Sequence, residues 1–239
     1  MIKLAVSGCQ GRMGQSITRL ALKDKEFTLT TLLERQDHPN IGKSAHKVKI
    51  SADNKDLNGC DVLIEFTSPD ATIDNLQACL DNKVKMVIGT TGLSPEQIEK
   101  IKSAAESIPI VFASNMSVGV NILFKLTQIA AEKTGKAYTI NISEAHHVHK
   151  KDAPSGTAKT LAQIAESASA TNVENIESKR EGEIIGDHSV VFESGEDIIT
   201  VSHHAKNRDI FAKGALVAAK FLTDKDKGLF NMQDVLGLN

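Results

Sequence analysis

Short apolar runs at residues 2–6, 27–33, 62–66, 86–88 and 110–113 alternate with stretches whose apolar positions recur at the helical period. Met13, Ile17, Leu20 and Ala21 are spaced i, i+4, i+7, i+8, which is one face of a helix. Ser68-Pro69 opens a second helix, with proline at its first position, ahead of Ile73, Leu76 and Leu80. Ser94-Pro95-Glu96-Gln97 has the form of a capping box: the serine side chain accepts from the Gln97 amide and the Gln97 side chain reaches back. Apolar strands interleaved with helices predict a parallel sheet covered on both faces. Right-handed crossovers then give a Rossmann-like, doubly wound sheet whose ligand lies beyond the carboxyl ends of its strands.

The pattern changes after residue 117. Residues 118–133 read as a long helix ended by Gly135. Residues 138–143 alternate like a half-exposed strand, and Leu161, Ile164, Ala165 and Ala168 mark another helix. Residues 189–193 and 197–203 suit a hairpin across Ser194-Gly195-Glu196. This half is α+β, a mixed sheet with helices on one face. The apolar stretch 211–222 returns as a helix to the first domain. The expected division is residues 1–117 with 208–239 as one domain and 118–207 as the other, with crossings at 115–119 and 206–209.

Composition narrows the function. A chain of 239 residues has room for one large domain or two small ones. A net charge of -2 gives no electrostatic reason to bind nucleic acid or an anionic membrane. With no Trp and one Tyr, stacking platforms for single strands are not expected. Cys9, Cys60 and Cys79 are odd in number and lack metal-ligand spacing, which suits reduced thiols in a cytoplasmic protein. The chain starts on a strand without a secretory leader, and no apolar run approaches the roughly 18 residues of a membrane span.

The densest chemistry lies in residues 144–157. His146, His147 and His149 stand with Lys150 and Lys151 within six residues, ahead of Asp152-Ala153-Pro154-Ser155-Gly156-Thr157 and a helix. Proton donors beside the positive end of a helix suit a dianionic substrate that is protonated as it reacts. His146 has the reference pKa, near 6.5, for donating at neutral pH, and Lys150 supplies a fixed positive charge or shares the proton. The N–H groups of Ser155, Gly156 and Thr157 form an anion site, and Gly156 permits close approach. The same residues have plainer readings. His149 can be structural, Lys151 a solvated charge, and Asp152 a turn former. Three close imidazoles also suggest a zinc hydrolase, but no carboxylate sits at metalloenzyme spacing and the glycine loop would go unexplained. No metal is expected.

That loop runs Gly8-Cys9-Gln10-Gly11-Arg12-Met13-Gly14 between the first strand and first helix. The usual dinucleotide fingerprint is G-x-G-x-x-G, so Cys9 stands in place of its first glycine. Gly11 would let a pyrophosphate approach the backbone, and the helix start would face the phosphates. Glu34 lies 20 residues beyond Gly14, where a carboxylate takes ribose hydroxyls. Arg35 beside it favours a 2′-phosphate, so NADH and NADPH are both expected. Arg12 could assist the phosphate, and either arginine could be a solvated surface charge. Gly89-Thr90-Thr91-Gly92 and Ser114-Asn115-Met116 follow later strands and line the same crevice. Small residues in the first would let a flat ring lie close. Met13 and Met116 also fit ordinary core.

Together these motifs resemble the 4-hydroxy-tetrahydrodipicolinate reductase (dihydrodipicolinate reductase) family of diaminopimelate and lysine biosynthesis. The matching segments are 8–14, Glu34-Arg35, 61–68, 89–92, 114–121, 144–157, Arg180-Glu181-Gly182, Gly186-Asp187-His188, His204-Ala205 with Arg208, 211–215 and 229–236. The likeness runs nearly end to end, and Glu-x-His-His-x-His-Lys-x-Asp-x-Pro-Ser-Gly-Thr is highly specific.

The resemblance implies a homotetramer with an N-terminal NAD(P)H domain and a C-terminal domain that binds a small dicarboxylate and builds the tetramer. By motif position His146 is the proton donor, Lys150 its catalytic partner and His147 a substrate contact, while Gly156 and Thr157 hold a carboxylate. The cofactor falls to Gly8, Cys9, Gln10, Gly11, Arg12, Met13, Glu34, Arg35, Gly89, Thr90, Thr91, Ser114, Asn115 and Met116. Residues 168–180 are shorter than this family leads one to expect. The implied reaction is NAD(P)H-dependent reduction of 4-hydroxy-tetrahydrodipicolinate to tetrahydrodipicolinate. Other readings are a nicotinamide oxidoreductase acting on an amino acid or semialdehyde, and a non-catalytic NAD sensor.

Overall fold

The computed structural model describes all 239 residues, which form two compact units. The first comprises Met1–Ser117 with Phe211–Gly237 and Asn239; the second comprises Val118–Ile210 with Leu238.

The first unit is built on an eight-stranded sheet. Its strands in chain order are β1 (Ile2–Ser7), β2 (Phe27–Leu33), β3 (Ser44–Ala45), β4 (Val48–Ser51), β5 (Val62–Glu65), β6 (Lys85–Ile88), β7 (Pro109–Phe112) and, from the far end of the chain, β12 (Gly228–Phe230). In space they lie in the order β12-β7-β6-β5-β1-β2-β4-β3. Every pairing is parallel except β3 with β4. Strand order therefore reverses at β1, with β2 on one side and β5 on the other, which is where doubly wound sheets bind ligands.

The continuous apolar runs work because both faces are covered. Leu4, Val6, Val62, Ile64, Val87 and Val111 point to one core, packed by helix α1 (Arg12–Ala21) and helix α6 (Asp209–Leu222). Ala5, Leu63, Met86, Ile88 and Ile110 point to the other, under α2 (Pro69–Asn82) and α3 (Pro95–Ala104). The Ser94–Gln97 capping box forms as read, with both reciprocal bonds present. Two closing elements are too short to show a hydrophobic period: β12, and a terminal helix α7 (Met232–Leu236) capped by Asn231.

In the second unit α4 (Val118–Thr134) precedes β8 (Thr139–His146). Then come α5 (Gly156–Ser169), β9 (Asn175–Arg180), β10 (Asp187–Glu193) and β11 (Ile198–His204). The sheet order is β11-β10-β8-β9. Only the β8–β9 pair is parallel, so the sheet is mixed. Ile140, Ile142, Val190 and Phe192 on its inner face pack against Val120, Leu123 and Phe124 of α4 and Leu161 and Ala165 of α5. No helix of the chain is long and apolar enough to cross a membrane.

Candidate active site

In the first unit a cavity of about 540 Å³ opens at the carboxyl ends of β1, β2 and β5, bordered by Gly8, Gly11, Glu34, Arg35, Thr67 and Ser68. Its volume suits part of a nucleotide. The glycines have distinct structural reasons. Gly8 sits at φ +72, and a Cβ there would lie 2.6 Å from the Phe66 carbonyl. A Cβ on Gly14 would fall 2.1 Å from the Gly8 carbonyl, so only glycine lets α1 pack this close to β1. Helix α1 begins at Arg12 with no side chain capping it. That leaves its first N–H groups available to an anion, as a dinucleotide phosphate requires.

Glu34 ends β2 and returns to this loop. Its carboxylate accepts from the Gln10 amide at 2.9 Å and from the Arg35 amide at 3.1 Å. A carboxylate with two donors still has lone pairs for ribose hydroxyls. The Gln10 side chain accepts from Asn40 at 2.7 Å, so the loop is braced from outside. Arg35 is exposed and pairs with Asp37 at 3.3 Å; Arg12 is exposed as well. Cys9 is buried, and burial with Glu34 nearby pushes its thiol up to about 11. Its side chain is therefore neutral packing.

The later loops are shaped by an unforeseen group. Glu65, at the end of β5, is fully buried, and burial raises its pKa above the usual carboxyl range. It accepts from the hydroxyls of Thr67 at 2.6 Å, Thr72 at 3.1 Å and Thr90 at 2.9 Å. Thr90 also accepts from the Thr67 amide at 2.8 Å, so its side chain is committed to the loop, while Thr91 is exposed. The flat ring beside Gly89 is the chain's own Phe66: a Cβ on Gly89 would come within 2.2 Å of it. Met116 is buried in the core and Met13 packs against it, so neither thioether is free for a ligand; in the third loop Ser114 is exposed and the Asn115 side chain accepts from the Ser117 amide at 2.9 Å.

In the second unit the three sequence-adjacent imidazoles part company. His146, the last residue of β8, faces inward and is buried; His147 is half-buried and His149 exposed. The ring that joins His146 is His188 from β10, edge to face with centroids 5.1 Å apart. His147 and His149 are tilted at 6.1 Å, and the His147 Nδ1 is buried without a hydrogen-bond partner. The zinc arrangement of His146, His147 and His149 is thus not assembled.

Glu144, two residues before His146 on the same face of β8, is the centre of the cluster. One oxygen meets His146 Nδ1 in a very short contact, and the other accepts from Arg180 Nη2 at 2.9 Å and from the Ser155 amide at 3.3 Å. Burial works to raise the Glu144 pKa, but Arg180 and His146 together bring it below the usual range. For His146 burial dominates and lowers its pKa; Glu144 opposes this, and Lys150 and Arg180 add to it. His188 is pushed down by burial, then by His146, to about 4, and is neutral near pH 7.

Helix α5 begins where expected. Ser155 is its N-cap and accepts from the Ala158 amide at 3.2 Å, and the same hydroxyl lies 3.2 Å from His188 Nε2. The Ser155 side chain is therefore internal, and an anion would meet the helix start at Gly156 and Thr157. A Cβ on Gly156 would touch nothing within 4 Å, so internal packing does not demand glycine there. Lys150 pairs with Asp152 at 2.8 Å and holds that carboxyl below its usual range. Arg180 also donates to the carbonyls of Lys150 and Asp152, tying the loop to β9.

A parallel sheet with a glycine loop, in a chain whose second unit is a mixed sheet with a buried histidine, carboxylate and guanidinium at a helix start, is an architecture found among dinucleotide-binding dehydrogenases. The fold is shared with an amine dehydrogenase from Mycobacterium smegmatis (TM-score 0.68, 11% identity, 97% of this chain and 95% of that chain). It is shared more closely with a dipicolinate-bound dihydrodipicolinate reductase from Paenisporosarcina sp. TG-14 (TM-score 0.85, 24% identity, 98% of each chain).

Residues 2–116 match the profile described as dihydrodipicolinate reductase, N-terminus, and residues 119–236 that described as its C-terminus. The chain is 40% identical over 264 aligned positions to the 4-hydroxy-tetrahydrodipicolinate reductase of Nitrosospira multiformis, covering 99% of this chain and 98% of that protein. It is 40% identical over 266 positions to the enzyme of that name from Geotalea daltonii, covering all of both. This chain belongs to the dihydrodipicolinate reductase family. Alignments of that length against 239 residues also mean that these relatives carry segments it lacks.

Proposed function

We propose that this chain is an NADH- or NADPH-dependent reductase that converts 4-hydroxy-tetrahydrodipicolinate to tetrahydrodipicolinate in diaminopimelate and lysine biosynthesis. The observation that carries the reading is the buried His146–Glu144–Arg180 chain beside the helix start at Gly156, in a member of this family. The first unit is the cofactor domain and the second the substrate domain.

Gly8, Gly11 and the uncapped start of α1, with Arg12, take the cofactor's phosphates. Glu34 takes ribose hydroxyls and Arg35 a 2′-phosphate. Cys9, Gln10 and Met13 contribute backbone, and Gly89, Thr90, Thr91, Ser114, Asn115 and Met116 shape the remaining wall. Bound NADH or NADPH supplies the hydride.

His146 delivers the proton that balances it. Its depressed pKa makes it a strong donor once charged, and a dianionic substrate beside it favours the charged form. Lys150 holds positive charge against the substrate as negative charge develops there. The amides of Gly156 and Thr157 hold one carboxylate, and half-buried His147 contacts the substrate.

The protein is assigned to the cytoplasm, supported by three buried, unpaired cysteines. It is assigned as a homotetramer, supported by the apolar residues left on its surface: Ile122, Leu126 and Ile129 along α4, and Ile198 and Ile199 on β11.

The test is to follow NADH and NADPH absorbance with substrate generated freshly from pyruvate and aspartate semialdehyde. Rapid oxidation with that substrate, and none with amino acids or the semialdehyde alone, is the expected result. Turnover confined to an amino acid or the semialdehyde would replace this reading with that of another nicotinamide oxidoreductase.

A further inference from the structure

Glu144 is the most enclosed charge in the second unit. Its side chain is 0% exposed. An ionised carboxylate in that setting costs several kcal/mol unless it is paired and fully hydrogen-bonded. The sheet register sets its neighbours. Glu144 stands opposite Ser178 on β9 and His188 on β10, and His146 stands opposite Arg180. Side chains two apart on one strand, and their cross-strand neighbours, share a face.

The two carboxylate oxygens hold different things. One holds the imidazole of His146. The other holds the backbone amide of Ser155, the N-cap from which α5 and its anion-binding end begin, and shares Arg180. An ionised carboxylate can only accept, so the proton in the short contact belongs to His146 Nδ1, and Nε2 becomes the atom that exchanges protons with a ligand. Gly186 fits this assignment: a Cβ there would lie 3.1 Å from His146 Nε2, and glycine leaves that edge with room. The arrangement does not suit a metal ion, although Glu144, His146 and His188 place ligand atoms within 4.8 Å of one another, because the carboxylate already serves a guanidinium and an amide.

We propose that Glu144 is a positioning residue with two functions: it fixes His146 in the Nδ1-protonated form with Nε2 directed to substrate, and it locks the carboxylate-binding start of α5 in register with that donor. This rests on His146 being the proton donor. The charged and titratable groups facing His146 are Glu144 from its own strand, Arg180 from β9, His188 from β10, and Lys150 with its partner Asp152 from the following loop. Of the two that are acidic, Glu144 alone touches the ring.

The experiment compares Glu144→Gln, Glu144→Asp and His146→Gln in full-length enzyme with its cofactor. A neutral amide no longer favours the imidazolium, so in Glu144→Gln the pH above which kcat falls should move down by about one to two units. KM for the dicarboxylate should rise as the Ser155 tie loosens. Glu144→Asp keeps the charge and should bring the pH midpoint back toward wild type. Equal loss at every pH in both Glu144 variants would overturn the proposal.

A second readout needs no folded Glu144 variant. In ¹⁵N-histidine-labelled wild-type enzyme, with the His146 signal assigned by its absence in His146→Gln, the neutral ring should carry its proton on Nδ1. The Nε2–H form would overturn the positioning role. Full turnover by His146→Gln would instead remove the proton-donor reading and leave the tautomer result to stand separately.

Discussion

At the scale of single residues, charge and burial divide the histidines into different jobs. His146 was legible because imidazoles crowd residues 146–149. Its true companions were not, because Glu144, Arg180 and His188 meet it only through strand register. Arg180 and His188 lay in recognisable motifs, but nothing in one sequence says that a lysine- and arginine-rich segment pairs beside β8. His188 gives a pH prediction. Its pKa falls from 6.5 in the unfolded chain to about 4 in the folded one, so the unfolded state binds its proton first. The stabilising contribution is complete above pH 6.5 and is lost as pH falls through that window toward 4. The shift corresponds to roughly 3 kcal/mol at this buried site. Denaturant unfolding of wild type and His188→Gln between neutral pH and pH 4 checks it. Wild type should lose more stability on acidification by about that amount, and parallel curves would show that His188 does not control acid stability.

Among elements, those with apolar periodicity were read well and those built for chemistry were not. The parallel strands, the capping box on α3 and the hairpin of β10 and β11 announce themselves by pattern. Strand β9, Asn-Ile-Glu-Ser-Lys-Arg, does not: its inward positions are Ile176, Ser178 and Arg180, two of them polar because they face the Glu144 row. The loop after β6 has an internal partner that its pattern did not show. Its small residues accommodate Phe66 and the Glu65 hydroxyl network. The Gly8–Gly14 turn and Glu34 were readable because their spacing has a geometric cause. Since Glu34 also accepts from the Gln10 amide, Glu34→Ala should weaken both cofactors somewhat by loosening the loop, and NADH more than NADPH by removing the ribose acceptor. Dissociation constants by fluorescence titration decide it. Equal losses for the two cofactors would leave Glu34 as a loop brace and nothing more.

For the whole molecule, division into two compact units follows from where the hydrophobic period changes, near residue 118, and from the return of α6 to the first core. Assembly was not readable from pattern, since apolar residues scattered singly on a surface are ordinary. The stripe Ile122, Leu126, Ile129 becomes visible only once α4 is placed. Light scattering on the purified 25.7 kDa chain should return about four times that mass; a stable monomer would contradict the tetramer.

The central proposal is that a buried imidazole, steadied by a carboxylate, gives a proton to the dicarboxylate as it is reduced. Turnover and cofactor affinity of His146→Gln test that most directly. We expect kcat to fall by about 10² to 10⁴ with cofactor binding nearly unchanged. Wild-type turnover in that variant would contradict it.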